Sequence, residues 1–219
     1  MLRLTLLALS STGLVAGCAS TQLEPVASIE EIPWSTDRPL RWDDFLGIVD
    51  PHAPTERVAI TAASIRWGYE YRIERNSGDC AYRITSIHSE ATFGPRDSWV
   101  RPDYRNAAVL IHEQGHFDLT HIYERMFAER AAELIGVRNS CEGSTLKEAS
   151  RFTEQRAAAL VEAVFDDIWQ GLTATQAAYD DQTRHGIETD SQTLWTERIR
   201  RGLQTGTWQM NRNRSLSSP

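Results

Sequence analysis

From Val58 onward the chain alternates apolar and other side chains, and Ile65, Trp67, Tyr69, Tyr71 and Ile73 are each separated by a single residue. A period of two puts all five on one face of a half-buried strand. Asn76-Ser77-Gly78-Asp79 has the composition of a turn, and the segment from Cys80 to Phe93 returns as its antiparallel partner. Tyr82, Ile84 and Ile87 do not keep period two throughout, which predicts a bulge or break near Ser86. Gly-Pro-Arg-Asp at 94–97 turns the chain again, and Ser98-Trp99-Val100 lead into a helix.

There the period changes. At 100° per residue, Ala108, Ile111, His112, Gly115, His116, Leu119, Ile122, Tyr123 and Met126 share one broad face, with Glu113 at its margin. Pro102 and Asp103 suit the first turn, because one needs no amide donor and the other favours the positive end of the helix dipole. The helix should end near Gly136, after Leu134 or Ile135. Past a connector at 137–144, Thr145 and Glu148 form a capping box. It opens a second helix, expected to reach about Leu172 and to bury Leu146, Phe152, Leu160, Val164, Phe165, Ile168 and Trp169. So short a connector makes the pair an antiparallel hairpin. The fold class is α+β: a small antiparallel sheet packed on a long helical hairpin.

The first dense apolar anchors are Leu40, Trp42, Phe45 and Leu46, within 38–47, and the prolines of 50–56 mark a loop. These bounds give a single domain over 38–205, preceded by a polar tether at 18–37 and trailed by a flexible tail at 206–219 in which Trp208 stands apart. Residues 1–17 read as a signal peptide: Arg3, the apolar run Leu4 to Leu9, then small residues before Cys18. The run is too short and too interrupted to span a bilayer. Leu14-Val15-Ala16-Gly17-Cys18 resembles the bacterial lipobox, so acyl chains on Cys18 are expected to hold the protein to a membrane. Ala19, where retained lipoproteins carry aspartate, points to an outer-membrane lipoprotein facing the periplasm.

The charge balance narrows the partners. The 219 residues include 23 Lys and Arg against 30 Asp and Glu, a formal net charge of −7, with no basic stripe, so nucleic acid is excluded as the expected partner. With Cys18 acylated, Cys80 and Cys141 remain as an even pair in an oxidising compartment, and a disulfide is expected.

The chemistry concentrates in His112-Glu113-Gln114-Gly115-His116. Histidines four apart on a helix can reach one ion, and a glutamate beside them can take a proton from the attacking water, the arrangement of zinc hydrolases. Gly115, unfavourable inside a helix, implies close approach of another segment beneath the metal. His121 lies on the other side of the helix and is expected to be solvated; Asp118 is either a hydrogen-bond partner of a ligand or a surface carboxylate. A return helix of 28 residues brings the segment beyond its C-terminal end level with His116. That stretch is Tyr179-Asp180-Asp181-Gln182-Thr183-Arg184-His185-Gly186. The third zinc ligand is expected there, with His185 preferred, then Asp180, then Asp181 or another acid. Tyr179 is either an oxyanion donor, if its hydroxyl turns toward the metal, or a buried aromatic closing the second helix.

LRWDDFLG, the SWV before the long helix, HEQGHFDL, and YDDQTRHG with Gln192 and Trp195 beyond it resemble the bacterial family of predicted secreted zinc-dependent proteases known as domain of unknown function 922. The resemblance spans most of residues 38–197. It implies a zincin-like arrangement, places family roles on His112, Glu113 and His116, and makes Tyr179, Asp180, Thr183 and His185 the recurring distal motif. Where this chain has His121 the family usually has an acid, consistent with a non-ligating position. The expected function is Zn2+-dependent hydrolysis of peptide bonds in a protein or peptide substrate of the cell envelope, with Glu113 as general base and the Cys80–Phe93 strand offering an edge for substrate. The alternatives are a catalytically inactive envelope lipoprotein acting as a scaffold and a cell-wall peptide amidase.

Overall fold

The two alternating segments form a long antiparallel hairpin, β4 (Ala63–Asn76) and β5 (Asp79–Phe93). The computed structural model describes residues 18–20, 31–76 and 79–208; residues 1–17, expected as a signal peptide, and residues 21–30, 77–78 and 209–219 lie outside them. The register slips where expected: Glu70 faces Ser86 but Tyr71 faces Ile84, so Thr85 is the extra residue of a bulge. That one-residue slip places Tyr82 and Ile84 on the same face as Ile87, against which period two alone would have turned them.

The hairpin is extended on both sides. β1 (Cys18–Ser20) pairs with β4, and β2 (Ile32–Pro33) pairs with β5 at Phe93 and Thr92. A separate pair, β3 (Ala59–Ile60) with β6 (Trp99–Val100), closes the chain before the first helix. The helices are α1 (Ala107–Ala132), α2 (Leu146–Thr183) and α3 (Thr189–Thr205), with β7 (Asn139–Ser140) pairing onto β5 at Ala81 and Tyr82. The α+β class with a small antiparallel sheet and a helical hairpin is what the structure shows. Among the described residues no helix is long and apolar enough to cross a membrane.

Several expectations are corrected. α1 starts at Ala107, because Asn106 accepts a hydrogen bond from the Val109 amide and caps it, while Pro102–Tyr104 forms a separate turn of 3-10 helix. Thr145 and Glu148 do form a capping box, but α2 continues for 38 residues, well past Leu172, since nothing from Thr173 to Thr183 breaks a helix. Its buried stripe is Ala149, Thr153, Ala157, Val161, Ile168 and Leu172, whereas Trp169 is exposed. Small residues on that stripe let α2 lie close against the sheet and α1. α3 was not foreseen, and its packing buries Trp195 and Ile199.

The tether and the flexible tail also change. Residues 31–37 belong to the folded unit: β2 zips onto β5, and the Trp34 amide donates to the Ala91 carbonyl. Trp208 is buried and stacks on Trp195, ring centroids 5.7 Å apart. Both ends of the β5 edge proposed for substrate are thus occupied, by β2 and β7. Leu40 and Phe45 anchor a second apolar cluster with Phe93, Val109 and Phe117, but Leu46 is half exposed.

Cys80 and Cys141 are joined as expected, across a sequence separation of 61. The bridge ties the connector between α1 and α2 to the start of β5. Its reduction should lower the free energy of unfolding by about 4 kcal/mol on the chain-entropy relation for that loop, read from urea denaturation with and without reductant; an unchanged midpoint would show that the bridge adds no stability.

Candidate metal centre

Three elements meet at one point. α1 contributes His112, Glu113 and His116 from its buried face, the last turn of α2 contributes Asp180, and the turn after α2 contributes His185. His112 Nε2 and His116 Nε2 lie 3.1 Å apart, and Asp180 Oδ1 is 3.0 Å from each. His185 Nδ1 approaches the same oxygen to 3.2 Å. His112, Asp180 and His185 each present a donor atom within 4.8 Å of the others'. Asp180, rather than the preferred His185, therefore sits at the shared vertex, and His185 closes the fourth side. Asp181 is exposed and stands outside this group of contacts.

Local chain geometry explains how His185 arrives. Arg184 and His185 both have left-handed backbone, φ 48° and 54°, uncommon for non-glycine residues, and Gly186 comes next at φ 84°. The turn is held by the Arg184 and His185 amides donating to carbonyls of the last turn of α2. A Cβ on Gly186 would stand 2.8 Å from the Cβ of His112, so this position needs glycine for space as well as for its backbone.

Electrostatics reflect the crowding. Burial alone would raise the pKa of Asp180, yet the close approach of the His112 and His116 rings holds it far below the usual carboxylate range. Burial opposes a charge on His116, but Asp180 at 3.0 Å, nearby Glu113 and Gln176 outweigh it and the pKa is raised. Glu113 is 3% exposed, and its Oε2 has no hydrogen-bond partner. A buried carboxylate oxygen left unpaired is costly.

The outer nitrogens of the two histidines are also occupied. His112 Nδ1 meets Gln192 Oε1 at 3.1 Å and His116 Nδ1 meets Gln176 Oε1 at 2.6 Å. Gln176 was not singled out by the sequence; its one signal is that it precedes Asp180 by one helical turn on α2. Asp118 serves neither histidine. It accepts from Trp34 Nε1 and from Gln114 Nε2, both at 2.8 Å, and thereby fastens the 34–40 segment across α1. His121 does not ligate and is not solvated either: it stacks on Trp34 at 3.7 Å and pairs with Glu124 at 3.2 Å.

Of the two roles open to Tyr179, its surroundings match the buried aromatic. Its hydroxyl points to the main-chain carbonyl of His112, at 3.2 Å, and not toward the cluster. Its ring stacks on His112 with centroids 4.4 Å apart and lies beneath Gly115, the close approach that glycine implied. Comparison of the chain with protein-family models, curated proteins and solved structures finds no match.

A Cβ at Gly115 would come within 2.3 Å of the Tyr179 hydroxyl and 2.8 Å of its ring. Two effects therefore oppose each other in Gly115→Ala: a gain of about 1 kcal/mol in helix propensity and an over-packing loss of roughly 1–3 kcal/mol. The buried, doubly bonded Tyr179 cannot yield cheaply, so net destabilisation is expected in thermal unfolding; a more stable variant would show that the ring moves aside.

Proposed function

We propose that this chain is a zincin-like, zinc-dependent hydrolase that cleaves peptide bonds in substrates of the cell envelope, to which an acylated Cys18 would attach it. The observation that carries this reading is the convergence of His112 Nε2, His116 Nε2 and Asp180 Oδ1 within 3.0–3.1 Å of one another, on a helix that also buries an unpaired Glu113 oxygen. Nitrogen and carboxylate ligands about 2.0–2.2 Å from a tetrahedral zinc stand about 3.3–3.5 Å from each other, so the donor set fits this ion with a small outward adjustment. The likeness of HEQGHFDL and YDDQTRHG to predicted secreted zinc proteases supports the same reading.

His112, His116 and Asp180 would hold the zinc, which when bound acidifies a water and polarises a carbonyl. Glu113, buried and with one oxygen free, accepts the proton of the attacking water and passes it to the leaving amine. Tyr179 contributes by position only, since burial raises its pKa and both sides of its hydroxyl are engaged. An amide in cell-wall peptide could be hydrolysed by the same groups.

One observation favours a second reading. If His185, 3.2 Å from Asp180 Oδ1, joins the other three as a fourth ligand, the site is closed and the zinc is structural. The chain is then an inactive envelope scaffold.

Metal content and peptidase activity separate these readings. His112→Ala and His116→Ala should lose zinc and hydrolysis together, whereas Glu113→Gln should keep near-stoichiometric zinc while hydrolysis falls by roughly two or more orders of magnitude. Asp180→Ala should empty the site, and His185→Ala should leave it filled. Zinc lost from His185→Ala with no activity in the wild type supports the scaffold. Wild-type protein that binds no supplied zinc, or a Glu113→Gln protein with full activity, ends the hydrolase reading.

A further inference from the structure

Each histidine of the proposed metal site is closed into a ring of hydrogen bonds that returns to its own main chain. The Thr120 hydroxyl donates to the carbonyl of His116 at 2.9 Å. Having given its proton away, it can only accept from Gln176 Nε2, 3.2 Å distant. That contact orients the amide, and Gln176 Oε1 is left facing His116 Nδ1 at 2.6 Å. An oxygen acceptor there requires that Nδ1 carry the proton.

The second ring repeats the logic with different residues. Tyr179 donates to the His112 carbonyl at 3.2 Å and so accepts from Gln192 Nε2 at 2.8 Å. Thr196, whose hydroxyl donates to the Gln192 carbonyl, accepts from the same amide nitrogen. Gln192 Oε1 is thereby turned to His112 Nδ1 at 3.1 Å. Thr183 agrees: its hydroxyl donates to the Tyr179 carbonyl and offers only a lone pair toward His112 Nδ1, at 3.4 Å.

We infer that Gln176 and Gln192, oriented by Thr120 and Tyr179, are positioning residues that lock His116 and His112 in the Nδ1–H tautomer and so build the metal site before any ion arrives. The inference rests on the hydrolase reading for its purpose, but its geometry stands alone. With both protons on Nδ1, the two Nε2 lone pairs and Asp180 Oδ1 face one another at 3.0–3.1 Å with no hydrogen between them. Three acceptors that close, in a largely buried site, repel unless a cation lies among them. Holding the imidazoles this way also spares the ion the work of reorienting them, and strengthens each nitrogen as a donor.

Two measurements on the full-length protein test this. Long-range 1H–15N correlation of the histidine rings in metal-free wild type, recorded at alkaline pH, should show Nδ1–H for His112 and His116; Nε2–H at either ring overturns the inference. In competition with a chelating dye, Gln176→Leu and Gln192→Leu should each weaken zinc binding by roughly 10-fold to 100-fold, with Gln176→Glu, which keeps an acceptor toward Nδ1, restoring most of it. Leucine variants that bind zinc like wild type, or a glutamate variant as weak as the leucine one, overturn it. Gln176 is the more exposed of the two, so Gln176→Leu decides the matter if Gln192→Leu fails to fold. The readings fail separately: Nδ1–H tautomers in a wild type that binds no zinc would sink the hydrolase reading while supporting the rings, and zinc binding by Nε2–H rings would do the reverse.

Discussion

The close approach of two helices, at Gly115 and Tyr179, is the constraint on which the site depends. With no side chain at 115, the phenol ring slides beneath α1, stacks on His112 and bonds its carbonyl. That contact sets how near the end of α2 comes to α1, and the next residue on α2 is Asp180. One residue of slack here would carry the carboxylate out of reach of both histidines. The same ring holds Gln192 of α3, so three helices are referenced to a single buried side chain.

Charge is then dictated by packing. A carboxylate, a glutamate and two imidazoles are brought together in a mostly dry site, with Asp180 Oδ1 3.0 Å from the Nε2 of both histidines, and holding them there costs stability unless a cation lies among them. Glu113 adds to that cost. Its free Oε2 is a local cost that the apolar clusters on either side of α1 must offset, a pattern expected where a group is held ready for a ligand and not for stability. The left-handed Arg184 and His185 add backbone strain in the same place.

Much of this was legible in the chain and some was not, for identifiable reasons. The alternation from Ile65 to Ile73, the broken period near Ser86 and the paired histidines are local patterns, and local patterns survive without tertiary context. Gly115 announced a close approach because glycine within a helix needs a reason. The end of α2 was misjudged because the apolar stripe fades after Leu172 while helix propensity does not, and packing against α1 carries the helix on. α3 was hidden by its polar composition, with burial limited to Gln192, Trp195, Ile199 and Gly202. The role of Trp34 with Asp118 and His121 joins residues 84 or more apart, which no periodicity can report.

The order of the chain also explains why the site is assembled where it is. α1 is about 39 Å long and α2 about 57 Å at 1.5 Å per residue, and α2, once turned back at the disulfide-bound connector, needs that length, because it reaches the histidines only with its C-terminal end. That end holds Gln176, Tyr179, Asp180 and Thr183, spaced so that all four meet the histidines. The left-handed reversal then sends α3 back across α1, where a Cβ on Gly202 would strike Ile122, and this crossing puts Gln192 behind His112. Among the described residues, the side chains hydrogen-bonded to the two histidines thus come, apart from Thr120 and the histidines themselves, from the last third of the chain. An ion bound between α1 and Asp180 would therefore join the earlier-made sheet and helix to the C-terminal helices, coupling its affinity to the docking of that whole segment.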